Sequence, residues 1–160
     1  MVASEILITP LVASIVGFGV WYLQSRINRI QKAQERLLDE RRQIYVETLS
    51  PIVRTLAGVK NPRELEKAQK QMISFEYRLK ALEFNLLGSD DVVKSFNALM
   101  QHIYNAGNTG AEDPKELMRL WGGLILEIRK NVGDPKTKLT DVDMLKAQIT
   151  DIENVLGTSA

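Results

Sequence analysis

The chain has no cysteine and a single histidine. Without a thiol there is no disulfide framework, no cysteine-based zinc site and no thiolate nucleophile, a composition that suits a reducing compartment. A metal site built on His102 would need carboxylates to complete it, and no ligand spacing in the sequence supplies them. An excess of one charge is also missing. The 21 Lys and Arg side chains stand against 20 Asp and Glu, for a net +1, whereas a nucleic-acid binder needs a concentrated basic face. No glycine-rich phosphate loop occurs, because Gly107 and Gly110 are not followed by Lys-Ser/Thr. Strand alternation bounded by hairpin turns, internal repeats and low-complexity tracts are absent as well. These absences give the expectation of an all-α, non-enzymatic protein with no cofactor and no nucleic-acid partner.

One local absence of charge is the most informative. Residues 6–23, ILITPLVASIVGFGVWYL, contain no ionisable acid or base of the Asp, Glu, Lys or Arg type. Eighteen helical residues span roughly 27 Å, close to the ~30 Å of a bilayer's hydrocarbon core. Trp21 and Tyr22 end the run, where amphipathic rings favour the headgroup level. No Lys or Arg precedes it; Arg26, Arg29, Lys32, Arg36, Arg41 and Arg42 follow. The positive-inside bias predicts a single-pass anchor in the plasma (inner) membrane, N-terminus outside and residues 24–160 cytoplasmic. Trp21, Tyr22, Arg26 and Arg29 are the expected membrane-interface residues. A cleaved signal peptide, the competing reading, needs a basic leading region that is absent and a small-residue cleavage site, where Gln24-Ser25-Arg26 stands instead. Pro10 favours a first-turn position, with Thr9 as cap. Ala13 and Gly17 form a small-xxx-small pair through which two anchors could approach.

Residues 24–160 carry 21 basic and 19 acidic side chains, enough chain for one helical domain and too little for two. The expected division is an anchor over 1–23, a juxtamembrane stalk and first bundle helix over 24–57, and the rest of the bundle over 58–160. In the stalk Leu23, Ile30, Leu37 and Ile44 recur every seven residues, while Ile27, Gln34, Arg41 and Thr48 are mostly polar. One apolar row suggests a helix that lays an edge on the bundle or on another copy, so Ile30, Leu37 and Ile44 are candidate self-association positions beside Ala13 and Gly17. Ser50-Pro51 reads as a kink or a fresh start, and Gly58 as a stop.

Beyond it, Asn61 and Pro62 open a helix whose stripe is Leu65, Ala68, Met72, Phe75, Leu79, Leu82 and Leu86, with Gly88 as a left-handed stop. Ser89 then caps a helix with Asp90 and Asp91 in its first turn and Val92, Phe96, Leu99, Met100 and Ile103 facing inward, closed by Gly107. Residues 105–113 read as a loop. Asp113-Pro114 starts a helix with Leu117, Leu120, Trp121, Leu124 and Ile128 inward and Gly133 as terminator. Gly122-Gly123 in its middle costs about 1 kcal/mol each against alanine, which predicts a close approach by a neighbour. Thr140 and Asp143 resemble a capping box before a last helix carrying Val142, Leu145, Ile149, Ile152 and Val155.

Carboxylate pairs occur at Asp39-Glu40, Asp90-Asp91, Glu112-Asp113 and Asp141/Asp143. The last three sit at helix starts, where capping and the helix dipole account for them. Arg129, Lys130, Lys136 and Lys138 surround a helix C-terminus. They suit that negative end, and they also form a candidate patch for an anionic contact.

Three stretches together, ERRQIYVETLSPI, LLGSDDVVKSFNALM and LEIRKNVGDPKTKLTDVDMLKAQITDIEN, resemble a recurrent group of short, mostly uncharacterised prokaryotic proteins with an N-terminal membrane helix and a helical cytoplasmic domain. The resemblance implies a bacterial or archaeal origin and carries over no catalytic residue. The expectation is therefore an all-α protein: one transmembrane helix, a cytoplasmic stalk and an antiparallel four- to five-helix bundle. Its expected role is non-enzymatic interaction or tethering, with the lipid bilayer and either a cytoplasmic protein or a homo-oligomer as partners. The alternative is a self-associating membrane effector or signalling protein acting through oligomerised anchors.

Overall fold

The computed structural model describes residues 2–57, 61–109, 113–149 and the single positions 152 and 156, with side chains from residue 17 onward (those of 57, 108 and 109 excepted). Among the described residues it is all-helical: α1 Val2–Ala57, α2 Pro62–Met72, α3 Phe75–Leu87, α4 Asp90–Thr109, α5 Pro114–Val132 and α6 Asp141–Leu145. The chain divides into two units, Met1–Asp39 and Glu40–Ala160.

The first unit is helix alone. Phe18, Val20, Trp21, Tyr22, Leu23, Ile27 and Ile30 are exposed along it. Among the described residues no helix is long and apolar enough to cross a membrane. Most of the expected anchor, residues 6–16, lies outside those whose side chains are described, as does Ala13. The expected start at Thr9-Pro10 is corrected: the helical backbone runs through both from Val2.

The second unit is a helical bundle around one core. Ile44, Tyr45, Leu49 and Ile52 from α1 join Tyr77 and Phe84 from α3, Val92, Phe96, Leu99 and Met100 from α4, and Trp121 and Leu124 from α5. Leu145, Ile152 and Leu156 complete it. Phe84 is the hub, with ring centroids 5.0 Å from Tyr45 and 4.4 Å from Phe96, the spacing at which tilted aromatic pairs attract beyond their burial. In α4 and α5 the inward residues are those that the 3-4 spacing indicates. The start of α5 follows from capping chemistry too. The Asp113 carboxylate accepts from the Lys115 and Glu116 amides, with Pro114 in the first turn.

Five expectations about helix boundaries are corrected. First, Ser50-Pro51 does not break the chain, since α1 continues to Ala57. An interior proline removes one N–H and crowds the preceding turn, at about 3 kcal/mol. Here Pro51 is fully buried between Leu49 and Ile52, whose burial offsets that cost, and the Thr55 hydroxyl donates to the Pro51 carbonyl at 2.9 Å.

Second, the helix expected from Pro62 to Leu86 is two helices. Asn61 and Pro62 open α2 as expected, but it stops at Met72, and Ser74 caps α3 by accepting from the Tyr77 amide at 3.1 Å. The break resets the helical phase. Tyr77, Ala81 and Phe84 turn inward, and Phe75, Leu79, Leu82 and Leu86 turn outward.

Third, Gly88 is not a left-handed stop. Its φ is −62° and ψ 155°. Glycine is required there for room, because a Cβ would lie 2.7 Å from the Phe84 carbonyl oxygen and 2.8 Å from a Val93 methyl.

Fourth, Gly107 does not close α4, which runs to Thr109, so Asn105–Asn108 are helical rather than loop. Fifth, the last expected helix is interrupted: α6 ends at Leu145 and residues 146–149 leave the helix, with Ile149 packed on the core, while Ile152 and Leu156 are helical. The expectations at Gly58, Gly110, Glu112, Val155 and Gly157 lie outside the described residues.

Gly122 behaves as its position in mid-helix suggested. A Cβ there would stand 2.5 Å from the Asp141 carbonyl oxygen, so the start of α6 rests directly on the α5 backbone. Gly123 meets nothing within 4 Å. Thr140 and Asp143 form the full capping box at that junction.

Candidate interaction surface

The polar residues of α1 explain how α3 is held. Thr48 is fully buried and its hydroxyl donates to the Lys80 carbonyl at 3.4 Å. Lys80 Nζ lies 3.0 Å from Glu47 and 3.0 Å from Glu83. The two carboxylates hold the ammonium above its ordinary pKa, and Gln43 and Lys80 hold Glu47 below its own. At the other end of α3, Arg41 donates to the Leu87 carbonyl, and the Tyr45 hydroxyl accepts from the Ser89 amide at 3.3 Å while donating to Asn131 at 3.0 Å. The row that looked too polar for a coiled coil thus supplies bonds to the bundle through Arg41 and Thr48.

With α3 fixed in this way, its outer face is left apolar. Phe75 is 74% exposed and Leu86 73%, with Leu79 and Leu82 about half exposed and Ile73 beside them in the α2–α3 turn. Isolated exposed leucines are ordinary, but a continuous row is the mark of a contact surface. Two further hollows border the bundle. A cavity of about 240 Å³ lies where α2, α3 and α4 meet, lined by Met72, Tyr77, Ala81, Phe96, Met100 and Tyr104 among others. The Tyr77 hydroxyl is buried there with no hydrogen-bond partner among the described residues. Burial, and secondarily the neighbouring Tyr104, push its pKa up to about 12. A more open apolar groove of about 510 Å³ runs between α1 and α5, over Trp121, Val46, Leu49, Val53 and Ile125.

The residues singled out in the sequence fall into separate places. Trp21, Tyr22, Arg26 and Arg29 are exposed on α1 in the first unit, where Arg29 donates to the Ser25 carbonyl at 3.4 Å. Gly17, Ile30 and Leu37 are exposed in the same unit. Ile44 is not a contact position: at 4% exposure it belongs to the bundle core, because the heptad row enters the second unit there. In the basic patch, Lys130 pairs with Glu127 at 2.6 Å and Arg129 bonds the Thr137 hydroxyl at 3.2 Å. Lys136 and Lys138 are exposed. His102 is half-buried in α4, and among the described residues no group of three or more His, Cys, Asp or Glu side chains is placed to hold a metal.

The outer face of α3 was missed as a surface because its residues read as core. The signal that could have found it is Ser74 followed by Glu76, a cap with an acid in the first turn. Comparison with protein families, curated proteins and solved structures found no match.

Proposed function

We propose that the chain is a non-enzymatic interaction module, tethered by its N-terminal helix to the cytoplasmic face of a prokaryotic inner membrane. The observation that carries this reading is the outward row Phe75, Leu79, Leu82 and Leu86 on a helix already fixed by the bundle. A rigid helix that presents an apolar stripe is a ready site for another protein's helix. The uncharged run over residues 6–23 and the basic residues after it support the tether and its orientation.

The test is affinity capture of the natively expressed chain in mild detergent, compared with a Leu79→Glu/Leu82→Glu variant. The module reading expects a stoichiometric partner with the wild type and its loss with the variant, at unchanged helical content by circular dichroism. Capture that is indifferent to the double substitution would remove α3 as the contact.

A second reading, a self-associating effector acting through its anchors, is favoured by the exposed row Leu23, Ile27, Ile30 and Leu37 on α1. It expects membrane depolarisation on overexpression that Gly17→Leu abolishes. Depolarisation untouched by that substitution counts against it.

A further inference from the structure

We propose that the outward face of α3 pairs with the same face of a second copy of this chain, the two α3 helices running parallel. This rests on the reading of that face as an interaction surface and names its occupant.

The exposed positions 75, 79, 82 and 86 alternate steps of four and three, the spacing of a two-helix seam. Their flanks differ in charge. Glu76 and Glu83 lie on one side of the seam, Arg78 and Asn85 on the other. In a parallel pair, a residue on the second flank faces the residue five positions on in the other helix. Arg78 then meets Glu83 of the partner subunit, and symmetry repeats the contact. An antiparallel pair would instead set acid flank against acid flank, which is unfavourable. Arg78 makes no ion pair among the described residues, and Glu83 holds only Lys80 of its own helix.

A membrane surface is a poorer occupant. Glu76 and Glu83 cancel Arg78 and Lys80, leaving no basic excess for anionic headgroups. The shortness of the seam is no obstacle. An isolated helix of 13 residues would be marginal, but α3 is already folded against the bundle and need not nucleate on association.

The chain's lack of cysteine supplies the test. Single substitutions Leu79→Cys, Leu86→Cys and, as an off-face control on α4, Lys94→Cys are made in the full 160-residue chain and oxidised in membranes. Leu79→Cys and Leu86→Cys should each cross-link to themselves, and Lys94→Cys should not. Adding Arg78→Glu should lower the cross-linked fraction roughly three- to tenfold, and Arg78→Glu with Glu83→Arg should restore it.

Cross-linking confined to mixtures of Phe75→Cys and Leu86→Cys chains would mean antiparallel pairing and overturn the geometry. Absence of both self-cross-linking and mixed cross-linking in the folded chain would overturn the second copy as occupant. If Leu79→Glu/Leu82→Glu then still abolished capture of a different protein or binding to anionic vesicles, the surface would stand with that other occupant. If it changed none of these, both readings would fall.

Discussion

Gly122 and Gly123 are adjacent and chemically identical, yet the structure gives them opposite expectations. An added methyl at Gly122 would run into the Asp141 backbone, which cannot swing aside as a side chain can. Gly122→Ala should destabilise the bundle by about 1–3 kcal/mol, the usual cost of overpacking. Gly123→Ala meets open space in a helix interior and should stabilise by about 0.5–1 kcal/mol. Urea denaturation of the pair decides it. Asp143 offers a pH test at the same junction. The Thr140 amide and hydroxyl, and then Lys146, lower its pKa to about 2 from an ordinary 3.8. A carboxyl with a depressed folded-state pKa stabilises above its unfolded value and loses that contribution as pH falls through the folded one. The melting temperature of the wild type should exceed that of Asp143→Ala at neutral pH, and the gap should close between about pH 4 and pH 2. A gap independent of pH would show that the carboxylate's charge contributes nothing. Tyr77→Phe removes a buried hydroxyl that no described residue satisfies, so it should leave stability unchanged or raise it by up to about 1 kcal/mol.

At the scale of elements, α1 changes character along its length. Leu37 is exposed in the first unit and Ile44 is buried in the second, although both occupy one heptad row. Leu37→Glu should leave the thermal midpoint of the bundle within a degree or two, while Ile44→Glu should cost more than about 3 kcal/mol by placing a charge in the core. Equal effects of the two would contradict the division. The caps at Asn61, Asp113 and Thr140 and the inward faces of α4 and α5 were legible because one stripe and one cap agreed there. The α3 phase was not legible. Two stripes coexist in residues 75–88, one of Phe75, Leu79, Leu82 and Leu86 and one of Tyr77, Ala81 and Phe84. Periodicity counts both alike. Packing chose the second, because Phe84 could sit between Tyr45 and Phe96. The candidate surface was hidden by the same ambiguity. Pro51 escaped for a related reason, since the burial that offsets its helix-breaking tendency is a tertiary fact.

For the whole molecule, one core cluster gathers residues from Ile44 to Leu156. The membrane-tether reading is checked at this scale by alkaline extraction of membranes. The 160-residue chain should remain in the pellet, and a form beginning at Glu40 should be recovered in the supernatant, still helical. Release of the full chain by alkali would count against an integral anchor. The participation of both α1 and Leu156 in one cluster also sets the timing of folding. Translation delivers Ile44, Tyr45, Leu49 and Ile52 roughly a hundred residues before Ile152 and Leu156, at about 5–20 residues per second. The early segment must therefore wait several seconds for the late one, its apolar side chains without their final cover. A ribosome stalled after Val132 would hold α1 through α5 without the residues that close the core.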